Sequence, residues 1–97
     1  MMDEATRNEI VVLGRKAHEL TESAYRKHAA TRGEPEWTEK QRILLADMAL
    51  HLLQTALSDG ELSADALKQN LYAILTVSDQ FLPDCALKAA ADGLHPR

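Results

Sequence analysis

Two histidine–carboxylate pairs hold most of the chemical potential of this chain. His18 and Glu22 stand four residues apart, and so do Asp47 and His51. On a helix that spacing puts both side chains on one face, where an imidazole nitrogen and a carboxylate oxygen can reach one cation. Di-metal helical bundles, however, gather Glu and Glu-x-x-His from several helices. The segment HELTE at 18–22 also lacks the second histidine of a zincin helix. His18, Glu22, Asp47 and His51 are thus weak metal-ligand candidates. The ordinary role for Asp47 and His51 is an intrahelical ion pair or a rim contact.

Other chemistry finds little footing. Cys85 near a helix N-terminus could be an activated thiol, but no histidine stands close in sequence to act as its base. A small buried cysteine is the commoner role. Paired carboxylates of a glycosidase, a Gly-rich phosphate loop and a nucleophile elbow are missing. The chain reads as non-enzymatic, and no cofactor is expected.

The elements that position these residues follow from hydrophobic spacing. The stretch 38–57, TEKQRILLADMALHLLQTAL, is apolar on most of its circumference when wound at about 100° per residue. Only Lys40, Asp47, His51, Gln54 and Ser58 form a narrow polar line. A helix apolar nearly all round must have neighbours on at least two sides. The line itself could face solvent, a second subunit or a ligand, with solvent or a subunit favoured. Thr38 and Gln41 fit a capping box, which puts Trp37 just ahead of the helix as a staple.

Before it, a helix is expected to begin near Asp3 or Thr6, since Thr6 and Glu9 fit a capping box and Asp3 and Glu4 suit a helix N-terminus electrostatically. Ile10, Leu13, Ala17, Leu20 and Ala24 then recur at spacings of 3 and 4, the seam of a bundle helix. Gly33 and Pro35 end that helix. His18 and Glu22 fall off this seam, so the two pairs are expected not to converge. Val11, His18, Glu22 and Tyr25 form a second stripe, assigned to the outer side, and Gly14 also lies off the seam.

After the central helix, Ser58-Asp59-Gly60 marks a tight turn and Ser63 caps a third helix. Its apolar face runs Leu67, Leu71, Ile74, Leu75, Phe81 and Leu82. Pro83 breaks the pattern. Residues 84–92 read as a short alanine-rich helix, closed by Gly93.

The expected fold is all-α, a single domain over 1–97. Three principal helices at about 4–31, 38–58 and 63–81 form an antiparallel bundle, with a short C-terminal helix at about 84–92. Residues 33–37 are a loop, 59–62 a tight turn and 93–97 a tail.

Composition narrows function. The net charge is -4 and the 27% charged residues are dispersed. Residues 1–37 carry seven acids against six bases, so no basic block exists to bind phosphates. The third helix has only Lys68 as a base, a poor recognition helix. A lone cysteine and an N-terminus without an apolar core point to the cytoplasm, and no run is long enough to span a membrane.

The leading expectation is a small intracellular protein–protein interaction module. It would be an adaptor, chaperone or inhibitor of a larger protein partner, of the bacterial or phage accessory type, and homodimeric. Val11, His18, Glu22, Tyr25 and Trp37 are the expected partner-binding residues. A DNA-binding or transcription-regulatory protein is the alternative, and a helical-bundle metal protein comes third.

Overall fold

The computed structural model describes residues 2–94 and is all-α. The first helix, α1 (Glu4–Lys27), starts where Asp3 caps it, its carboxylate accepting the Thr6 N–H at 2.8 Å. It ends four residues before the expected boundary at 31. The reason is a tertiary contact: Ala30 is buried, and its carbonyl accepts the Lys40 ammonium at 3.4 Å. The chain reverses at Gly33, whose φ of +94° is open to glycine at little cost.

The central helix, α2 (Trp37–Leu57), begins at Trp37 rather than Thr38. Glu36 is the N-cap and makes no side-chain cap bond, so the expected Thr38–Gln41 box does not form. Gln41 is instead buried, and its Oε1 accepts the Gln80 amide at 3.0 Å. The Trp37 indole N–H donates to the other side of the same Gln80 amide at 3.3 Å. This short chain of hydrogen bonds ties the start of α2 to the end of the third helix.

That helix, α3 (Ala64–Asp79), is capped by Ser63, whose hydroxyl accepts the Ala66 N–H at 3.1 Å. It stops at Asp79, two residues short of 81. Phe81 and Leu82 therefore leave the helical register and are exposed instead of joining the apolar face. Val77, which the sequence did not single out, is the most buried residue of α3.

The last segment is not one helix over 84–92. Pro83–Cys85 form a 3-10 turn, Ala86 takes a left-handed conformation (φ 54°, ψ 35°), and α4 (Leu87–Asp92) follows. Cys85 is exposed, against the buried role expected for it. The short helix lies on α3, where the Lys88 N–H donates to Asp79 at 3.2 Å and its ammonium donates to the Tyr72 hydroxyl at 3.2 Å. Hydrogen bonds to the Asp92 carboxylate, first, and to Tyr72 raise the Lys88 pKa above its ordinary value.

Helices adjacent in sequence are adjacent in space: α1 packs on α2, α2 on α3, and α3 on α4. The result is an open row rather than a closed cluster, 45 × 32 × 21 Å across with a radius of gyration of 15.0 Å. A compact chain of this length would have a radius of about 12.5 Å. Among the described residues no large side chain is fully buried. No helix among them is long and apolar enough to cross a membrane.

Candidate functional site

Most of the polar line of α2 faces α1, while Ser58 is exposed and His51 keeps part of its side chain in water. Arg7 donates from Nη1 to the Leu57 and Ser58 carbonyls, both at 3.3 Å, and its Nη2 lies 2.7 Å from Asp59. Hydrogen bonding to Glu4, with help from Asp59, holds the guanidinium pKa above the usual arginine value. Two turns further along α1, Gly14 is buried against Leu53. His18 then meets His51 and Asp47, and Thr21 meets Asp47. Finally the Lys40 ammonium sits 4.8 Å from the centre of the Tyr25 ring. Sequence numbers rise along α1 as those of its partners fall, the signature of an antiparallel pair.

This register reverses the expected sides of α1. Val11, Gly14, His18, Thr21 and Tyr25 are buried or half-buried against α2. The stripe assigned to the outside is therefore the inner one. Glu22 stays on the exposed flank, paired with Arg26 at 3.2 Å. The supposed seam splits. Ile10 and Ala17 are half-buried, while Leu13 is 60% exposed and Leu20 67% exposed, with Ala24 exposed as well. Val12 is exposed too, on the other flank of α1 beside Asn8 and Arg15.

Reversal also makes the two pairs converge, against expectation. The Nε2 atoms of His18 and His51 lie 2.8 Å apart, with their rings edge to face. Asp47 Oδ1 is 3.3 Å from His18 Nε2, and Oδ2 is 3.5 Å from His51 Nε2. Thr21 donates its hydroxyl proton to Asp47 Oδ1 at 2.6 Å. Asp47 is buried, His18 mostly so, and the His51 side chain keeps 43% of its exposure. Three of the four weak ligand candidates thus meet at one point of the α1–α2 interface, where they could hold a metal ion. Glu22 does not reach it. Thr21 was missed, although its place three residues after His18 puts it on the same face.

No protein family, curated protein or solved structure matches this chain.

A second feature lies on the outer side of the same helix pair. Leu20 and Ala24 of α1 and Ile43 and Ala46 of α2 line a shallow groove, rimmed by Glu39 and Arg42. The two rim residues approach each other at 3.6 Å. Leu13, two turns before Leu20 on the same side of α1, is exposed as well, so that side of the helix presents apolar side chains to water. Of the expected partner-binding residues only Glu22 is exposed; Trp37 is half-buried with its indole hydrogen-bonded to Gln80.

Proposed function

We propose that this protein is a non-enzymatic interaction module that pairs with a second copy of itself through the outer face of α1. The observation that carries the proposal is the inverted helix. Polar side chains of α1 pack inward on the polar line of α2, while Leu13 and Leu20 point out. Exposed apolar patches of this kind mark interaction surfaces.

Area supports the same occupant. The chain exposes 6886 Å², whereas a compact protein of its mass exposes roughly 5,500 Å². Covering that excess on two copies would bury about 2,700 Å² in all, the range of obligate homodimers. The rim suits a two-fold axis too. In an isologous interface residue i meets j and j meets i, so an acid beside a base, as in Glu39 and Arg42, is self-complementary.

A larger protein partner, as an adaptor, chaperone or inhibitor requires, would use the surface left outside the dimer. The lone cysteine fits a reducing compartment, where no disulfide is needed. DNA binding draws less support. Arg7 and Arg26 of α1 are engaged by Glu4, Asp59 and Glu22, and α3 adds only Lys68.

The test is mass in solution. Sedimentation equilibrium of the full chain is expected to give twice the 10.8 kDa chain mass. The double substitution Leu13→Glu/Leu20→Glu is expected to give the single-chain mass with unchanged helicity by circular dichroism. A wild-type chain that stays monomeric at high micromolar concentration sinks the proposal.

A further inference from the structure

We infer that His18, Asp47 and His51 form a binding site for one divalent cation of the zinc class, built across the α1–α2 interface. The inference is independent of dimer formation, since all three ligands belong to one chain.

Protons alone serve this geometry poorly. Two imidazole nitrogens 2.8 Å apart share a single proton. A neutral imidazole has one N–H donor and one lone pair. If His18 Nε2 donates to His51, the His51 nitrogen has no proton left for Asp47 Oδ2 at 3.5 Å. If His51 donates, the His18 nitrogen has none for Asp47 Oδ1 at 3.3 Å. Protonating both nitrogens would set two N–H groups head to head. Each arrangement leaves a repulsive contact beside a buried carboxylate, where an uncompensated charge is costly. A cation at the centre accepts a lone pair from all three side chains.

The distances suit such an ion. Zinc–nitrogen and zinc–oxygen bonds of about 2.0–2.1 Å in a tetrahedron separate neighbouring ligand atoms by about 3.3 Å. The imidazole nitrogens are 2.8 Å apart, Asp47 approaches His18 through Oδ1 at 3.3 Å and His51 through Oδ2 at 3.5 Å, and with one ligand atom from each residue the set lies within 4.8 Å. Two imidazoles with one carboxylate select borderline metals over Mg²⁺ or Ca²⁺, which prefer oxygen. The Thr21 hydroxyl donates to Asp47 Oδ1 at 2.6 Å and so fixes the orientation of the carboxylate. His51 is the most exposed ligand, so the fourth position opens to water on its side.

Binding requires both Nε2 lone pairs, so the ring that donates in the metal-free pair gives up its Nε2 proton to solvent and takes one up at Nδ1, a change of tautomer with no net proton released. Affinity should fall as pH is lowered, because protons compete with the metal for the imidazole nitrogens. Because α1 touches the rest of the chain mainly through α2, the ion would also staple α1 in place.

The experiment is a Co²⁺ titration of tag-free full-length protein, followed by visible absorption, with Zn²⁺ added as competitor and Mg²⁺ as control. One Co²⁺ per chain, tetrahedral d–d bands, loss of the bands on adding Zn²⁺ and no response to Mg²⁺ are expected. Asp47→Asn and His51→Ala should each weaken binding ten-fold or more, and His28→Ala should not. A spectrum retained at full affinity in His51→Ala, or no binding at all, overturns the inference. Should a variant fail to fold, imidazole ¹H–¹⁵N correlation spectra of the wild-type chain decide the matter. Zn²⁺ must move the His18 and His51 signals while leaving His28 in place, and stationary His18 and His51 signals overturn the inference. Repeating the titration in Leu13→Glu/Leu20→Glu separates this site from the dimer, since metal should bind there equally well.

Discussion

Gly14 of α1 packs directly on Leu53 of α2: a Cβ placed on Gly14 would stand 2.7 Å from Leu53 Cδ2. Glycine in mid-helix costs up to about 1 kcal/mol against alanine, so its presence in α1 needs a packing reason. Leu53 supplies it. The glycine lets two backbones draw together between the Arg7–Asp59 and His18–His51 contacts, which keeps both within bonding range.

Gly14→Val is expected to destabilise the chain by about 2–3 kcal/mol, since overpacking of this kind costs roughly 1–3 and a β-branched residue gains little helix propensity. Gly14→Ala should be close to neutral, because its propensity gain offsets a clash with the movable end of Leu53. Urea denaturation followed by the fluorescence of Trp37, the only tryptophan, measures both. Leu53→Ala combined with Gly14→Val should recover part of the loss, a positive coupling between neighbours. Strict additivity would show that the two residues do not meet.

Much of the helix inventory was legible because its signals are local. Asp3 and Ser63 cap the helices they precede, and Ser58-Asp59-Gly60 stops α2 where it should. The sides of α1 were not legible. Leu13 and Leu20 recur with the same 3–4 spacing as Val11, Gly14, His18, Thr21 and Tyr25, and hydrophobicity alone favours the leucines. The choice was made by α2. Its Asp47 and His51 are met by His18 and Thr21, and polar atoms buried there without partners would be costly. Only the second stripe offers those partners, and it also holds the glycine. A long-range match between two polar lines in antiparallel register carries no local signal.

That reading yields a sharp contrast between neighbours two residues apart. Val11→Asp puts a charge beside Gln54 and Leu57, with which Val11 lines a cavity. It should cost about 2 kcal/mol or more, as burial of an unpaired polar group does. Leu13→Asp lies on the outer face and should change stability by no more than about 0.5 kcal/mol at dilutions where the chain is monomeric. Urea midpoints of the two variants test the assignment, and equal losses or the opposite order would restore the leucine seam as the inner side.

The break at Ala86 can be tested by the sign of a single effect. A non-glycine residue in the left-handed region costs about 1–2 kcal/mol, and Ala86 holds φ at 54°. Glycine there loses roughly 0.5–1 kcal/mol more conformational entropy on folding than alanine. The difference predicts that Ala86→Gly stabilises the chain by about 0.5–1 kcal/mol, seen as a higher urea midpoint with an unchanged slope. Ala86→Val should move the midpoint down, because branching at Cβ makes the same conformation harder to hold. Were residues 84–92 one continuous helix, as their alanine content suggests, valine would still lower the midpoint but the glycine effect would change sign. Glycine would then sit in a helix interior and lower stability by about 1 kcal/mol. The turn ahead of α4 thus stands or falls with the direction in which glycine moves the transition.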